Sequence, residues 1–131
     1  MSKTHSAGDA VTRTSATHAH DLLVEAQSHG AQFLVGGPEY LTPTSLKPTL
    51  VTNVSRASRI RDEETFGPSA SVYQVGSDDE AVELANDSAY GLNAAVHSAS
   101  WEHAFEVAGR LEYGQVHINA LTAADSRKCH I

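Results

Sequence analysis

The chain has 131 residues, a formal net charge of −7 and nine basic residues spread along its length, which argues against a nucleic-acid partner because phosphate backbones call for a concentrated basic face. No apolar run approaches the ~20 residues needed to cross a bilayer, and the N-terminus lacks the basic-then-apolar pattern of a secretory signal, so the expected setting is the cytoplasm with no membrane contact. The single cysteine, Cys129, excludes an internal disulfide.

Residues 1–17 are rich in Ser, Thr, Ala and His with few large apolar groups, so burial could not offset the entropy of ordering them, and a mobile leader is expected. His5 in this leader, and His18 and His20 just after it, read as solvated polar residues. From His18 the run HAHDLLVEAQSHGA places Leu22, Leu23 and Ala26 on one face, with Gly30 where a helix would stop. Residues 32–35 read as a short buried strand closed by Gly36-Gly37-Pro38, and residues 40–47 as a turn-rich loop. Residues 48–54 are β-prone, but Pro48 suits only the first position of a strand, which predicts an outer strand or hairpin arm.

The stretch 62–93, DEETFGPSASVYQVGSDDEAVELANDSAYGLN, organises the rest. Val72, Tyr73 and Val75 predict a strand over 71–75. Asp78, Asp79 and Glu80 then open an apolar-periodic helix, their charges suiting its positive N-terminal end. Residues 93–98 predict a strand, Ser100 a cap, Trp101 to Leu111 a helix with one wide apolar face closed at Gly114, and residues 115–119 a last strand. Strand, helix, strand, helix, strand in that order implies parallel strands in one sheet. The expected layout is a leader over 1–17, a single α/β domain over 18–119 and a tail over 120–131.

EETFGPSASV, LANDSAYGLNAAV and RLEYGQVHIN resemble the patterns EEIFGPV, LANDSxYGLxAxV and RLExGxVxxN of the aldehyde dehydrogenase superfamily. GAQFLVGG and KPTLVTNV are similar to its GAxxLxGG and xPTxLxxV. The resemblance runs from about Asp21 to Asn119. It implies a three-layer α/β sandwich with a mostly parallel sheet, like the family's catalytic domain without its nucleotide-binding domain. It also implies that Glu64 matches the glutamate that hydrogen-bonds the nicotinamide ribose, and Phe66 the aromatic residue beside it. The family's cysteine nucleophile, general-base glutamate and nucleotide-binding domain have no counterpart here, and Cys129 lies downstream of the match. A self-standing truncated derivative is therefore expected, with no cofactor and no metal.

Three readings follow. The preferred one is non-redox acid/base chemistry on a small carbonyl-containing molecule, of isomerase, cyclase, dehydratase or hydrolase type. Glu64 would be a base if desolvated, and His97 and His117, at the carboxyl ends of their strands where open α/β sheets place ligands, would be base or acid near pH 7. Asn119 and Tyr113 would orient or polarise, and Tyr73 adds a further hydroxyl. Against this, the two histidines can be separately solvated or bonded to backbone, and Glu63 and Glu64 can merely shape the turn before Gly67-Pro68. Two adjacent glutamates could also hold one raised pKa if both were buried, although on a strand they point to opposite faces. The second reading is a non-catalytic remnant or partner subunit, and the third a fragment of an NAD(P)-dependent aldehyde dehydrogenase. Truncation would expose a sheet edge or apolar face, so a homodimer is expected.

Overall fold

The computed structural model describes residues 12–122. They form two compact units divided between Gln74 and Val75, where the sequence predicts one domain over 18–119. Cys129, His5 and residues 1–11 lie outside the described residues.

In the first unit, helix α1 (Arg13–Ser28) begins five residues before His18. Thr12 caps it, its Oγ1 accepting the Ser15 N–H at 3.1 Å. The extra turn has a packing reason: Ala16 and Ala19 are fully buried and continue the Leu22, Leu23, Ala26 face at helical spacing. Gly30, at φ 91°, ends the helix as expected. Strand β1 (Gln32–Val35) follows, then a small hairpin of β2 (Tyr40–Thr42) and β3 (Ser45–Leu46) in place of the expected loop.

Strand β4 (Thr49–Thr52) pairs antiparallel with β1 and parallel with β5 (Ser69–Ser71). It is thus the central strand of a three-stranded sheet, not an outer one. Pro48 stands just before Thr49, so its missing N–H removes no ladder bond. Gly36 is obligatory at the β1 exit: its φ is 70°, and a Cβ there would lie 2.2 Å from the Pro48 carbonyl oxygen. Leu22, Leu23, Ala26, Ala31, Val51 and Ile60 form the buried core of this unit.

In the second unit, helix α2 (Asp78–Asn86) is capped by Ser77, whose Oγ accepts the Glu80 N–H. The Glu80 carboxylate reaches back to the Gly76 N–H at 2.7 Å, so two otherwise orphan donors at the helix start are satisfied. Strand β6 (Asn93–Val96) leads to helix α3 (Trp101–Ala108), capped by Ser100, and then to β7 (Gln115–Ile118), parallel to β6 in the register Ala95 to His117. α3 packs on both strands. It ends at Ala108, with Gly109 as its C-cap. Gly114, expected to close it, instead donates its N–H to the Gly91 carbonyl where β7 begins.

The structure is mixed α/β with parallel pairing, but the parallel pairs fall in two sheets, β4 with β5 and β6 with β7. The expected 71–75 strand is represented by β5, shifted toward the N-terminus. No helix among the described residues is long and apolar enough to cross a membrane.

Candidate functional site

The segment leading to Glu64 is fixed from α1. Ser58 is only 1% exposed, and its hydroxyl donates to Glu25 Oε2 at 2.7 Å. The same oxygen accepts the Arg59 N–H at 3.3 Å, which anchors the start of a 3-10 turn at Arg59–Arg61. The Arg59 guanidinium then grips Glu63 with both oxygens engaged, Nε to Oε1 at 2.6 Å and Nη2 to Oε2 at 2.8 Å. This is the fork geometry that makes arginine–carboxylate pairs directional. His18 Nε2 lies 3.7 Å from the same carboxylate.

The Arg59 hydrogen bonds hold the Glu63 carboxyl below the usual glutamate range, and the Ser58 hydroxyl does the same for Glu25. Arg59 is raised in turn, chiefly by its hydrogen bonds to Glu63. For Glu63 this is the reverse of the raised carboxyl that burial of both glutamates would give, because a cation reaches it and water still does.

Glu64 has no such grip. It is exposed, and its carboxylate has no hydrogen bond or ion pair among the described residues. Phe66, two residues on, is 62% exposed. Between the glutamates and β5, Gly67 lets the chain pass close to α1, since a Cβ there would meet the Ala19 Cβ at 2.9 Å. Adjacent glutamates therefore have opposite occupations, Glu63 in the scaffold and Glu64 uncommitted.

The other predicted residues lie in the second unit. The Tyr113 hydroxyl donates to the Ala85 carbonyl at 2.9 Å, tying the end of α2. Asn119, at φ 52°, accepts the Ser98 N–H at 2.9 Å and donates to the Ser98 carbonyl at 3.0 Å. Both ends of its amide are thus used on backbone, extending the β6–β7 ladder past the strand ends. The polar groups of Tyr113 and Asn119 expected to orient or polarise are thus bonded to backbone.

His97 is exposed, one residue beyond β6. His117 lies within β7, its Nε2 buried without a hydrogen-bond partner, as is Asn93 Oδ1. Strand alternation and the register put Asn93 and His117 on one face of the pair. Tyr73 borders a cavity in the first unit together with Arg61 and Thr65. No cluster of three or more His, Cys, Asp or Glu among the described residues could hold a metal ion.

Two contributors escaped the sequence reading. The Arg59–Glu63 pair was findable from its four-residue spacing, but Glu25 is 33 residues from Ser58 and nothing local announces that bond.

The pattern of the aldehyde dehydrogenase family matches residues 1–130. The NADP(+) succinate-semialdehyde dehydrogenase of Deinococcus radiodurans is 43% identical over 110 residues, covering 81% of this chain and 23% of that protein. Among solved structures, a salicylaldehyde dehydrogenase from Pseudomonas putida G7 superposes with a TM-score of 0.82 at 34% identity, over 91% of this chain and 24% of that one. A succinic semialdehyde dehydrogenase from Streptococcus pyogenes, in complex with NADP+ as cofactor, gives 0.76 at 34% identity, over 83% and 24%. The chain spans about a quarter of the length of these relatives. They overturn the cofactor-independent, non-redox reading preferred from sequence, since the similar proteins are dehydrogenases and two are named with NADP+.

Proposed function

The chain belongs to the aldehyde dehydrogenase family, and from that premise we propose that it forms part of an NAD(P)-dependent oxidation of a small aldehyde, with Glu64 at the nicotinamide ribose. The observation that carries this reading is the split between the two glutamates. Arg59 takes Glu63 into the scaffold, and Glu64 is left exposed with its acceptor oxygens uncommitted. An ionised carboxylate is acceptor-only, which suits it to the vicinal hydroxyls of a ribose. The exposed Phe66 ring offers an apolar surface beside it.

When bound, the nicotinamide ring supplies the hydride acceptor. The work of this chain's residues is positional: Glu25, Ser58 and Arg59 fix the turn, and the turn fixes where Glu64 stands. Exposed Leu34, Val35 and Leu50, the last two beside an apolar cavity of about 440 Å³, support self-association as part of the same reading.

The test is a chimera in which residues 12–122 replace the matching quarter of the Deinococcus radiodurans enzyme. It should oxidise succinate semialdehyde with NADP+, and Glu64→Gln in it should lower kcat/KM roughly 10- to 100-fold, the effect of a lost hydrogen bond to a charged group. A folded chimera with activity unchanged by Glu64→Gln would remove Glu64 from the reaction.

A further inference from the structure

Helix α3 presents two parallel rows of side chains to solvent. Trp101 and Phe105 are four residues apart and so neighbours along one side of the helix. They are 57% and 63% exposed, and their ring centroids lie 6.0 Å apart. Glu102 and Glu106 repeat the spacing one residue on, and both are exposed. Ala104, fully buried, marks the side of α3 that packs on β6 and β7. An aromatic row therefore runs along the free side of α3 with a carboxylate row beside it.

The charges around these rows are unbalanced. His103 Nε2 is engaged with Asp78 and Arg110 Nη2 with Asp79, each at 2.6 Å, so these two basic groups are taken by acids at the start of α2. Glu102 and Glu106 have no hydrogen bond or ion pair among the described residues. Like charges four residues apart oppose the helix that carries them. A cation placed between the two is thus favoured twice, by attraction and by relief of their repulsion.

We propose that this side of α3 docks a basic amphipathic helix of a partner protein, its apolar row over Trp101 and Phe105 and its lysines or arginines against Glu102 and Glu106. Such a helix repeats apolar side chains at three- and four-residue intervals, which matches the spacing of the aromatic pair. Exposed aromatic rings supply the anchoring area that helix-in-groove contacts use. A second copy of this chain would set one glutamate row against another, and an anionic surface would meet the same repulsion. None of the residues assigned to the nicotinamide ribose takes part, so the proposal stands or falls apart from that reading.

Trp101 is the single tryptophan of the chain, so its emission reports on this surface alone. The probe is a synthetic amphipathic helix of leucine and lysine, ~14 residues or about four turns long, titrated into the whole chain. Its controls are a scrambled peptide of the same composition and a counterpart of leucine and glutamate. A saturable blue shift with the first peptide, and not with the other two, is expected. The double variant Glu102→Gln, Glu106→Gln should weaken binding about three- to tenfold, roughly the worth of exposed ion pairs, and Phe105→Ala about tenfold. All three side chains are exposed, so the fold is spared. Equal shifts with the scrambled peptide, or unchanged affinity in both variants, would overturn the proposal. So would two further results: a labelled peptide that fails to bind the folded chimera by anisotropy, which would give this face to the rest of the enzyme, or a dimer in sedimentation that Phe105→Ala dissolves, which would give it to a second copy.

Discussion

The two units are held together by different physics. The first buries Leu22, Leu23, Val51 and Ile60 in a continuous apolar core. In the second, Val82 and Ala104 are the buried apolar residues among those described, and Trp101 and Phe105 are largely exposed. Polar clamps take the place of a core there. Asn86 donates to the Arg110 carbonyl and accepts the Glu112 N–H, both at 2.9 Å, while Arg110 reaches Asp79 and His103 reaches Asp78, each at 2.6 Å. Asn119 clamps Ser98 in the same two-ended way as Asn86.

The contrast explains why LANDS and RLE occur together. The asparagine of the first motif satisfies the backbone of the second, and an asparagine amide offers a donor and an acceptor at once. Motif residues in the second unit are therefore occupied with holding the chain, whereas Glu64 in the first is unoccupied because an apolar core and Arg59 already hold its segment.

The contrast breaks most visibly at Leu22. It is fully buried, and Leu22→Ala should destabilise the protein by ~2–5 kcal/mol, through lost transfer free energy and the cavity left behind. Urea denaturation gives the magnitude, and hydrogen exchange should quicken at the amides of β1 and β4. A cost below ~1 kcal/mol would mean that the first unit has no better core than the second.

A smaller effect is expected at Asn86. Asn86→Ala removes two hydrogen bonds to backbone at an exposed site, a loss of ~1–3 kcal/mol at about 1 per bond. Asn86→Asp keeps the acceptor for the Glu112 N–H and loses only the donor. Exchange at the Glu112 amide should accordingly be fast in Asn86→Ala and close to wild type in Asn86→Asp. Equal exchange in all three proteins would show that the clamp adds nothing.

What was legible in the sequence follows the same division. α2, β6 and β7 were readable because their signals are local: the three acids Asp78, Asp79 and Glu80, apolar periodicity, and β-prone runs between turns. The start of α1 was not, because Ala16 and Ala19 are too small to register as a core face until their burial, in part against the chain at Gly67, is known. The central place of β4 depends on β1 and β5, which a single β-prone run cannot reveal, and Pro48 argued the other way. At the site, Glu63 and Glu64 lie in no strand, so alternation does not govern them, and which one stays uncommitted is decided by Arg59 and, through it, by Glu25. The hydroxyl of Tyr113 and the amide of Asn119 are groups that serve chemistry and backbone bonding alike, and their partners, Ala85 and Ser98, are remote in sequence.

The smallest expected effect concerns the carboxylates that brace the glutamate turn. Glu25 and Glu63 both sit below the ordinary glutamate range, through Ser58 and Arg59 respectively, with His29 and His18 adding attraction when protonated. A carboxyl whose folded pKa is depressed binds protons more readily in the unfolded chain, so its contribution to stability is present above about pH 4.3 and is lost as pH falls through the lower folded value. Stability of the first unit should therefore fall as pH drops from 5 toward 3, and Glu63→Gln should flatten part of that slope, because an amide does not titrate. Arg59 keeps its charge throughout, so the slope reports the carboxylates and not their partner. Both glutamates are within reach of water, so screening keeps the effect modest, and added salt should shrink it further. Urea midpoints at pH 3, 4, 5 and 7, with and without 0.5 M salt as roughly twice the screening of physiological strength, would decide the matter: identical slopes for wild type and Glu63→Gln would mean that the Arg59 grip seen in the structure carries no stability, and that the core alone places Glu64.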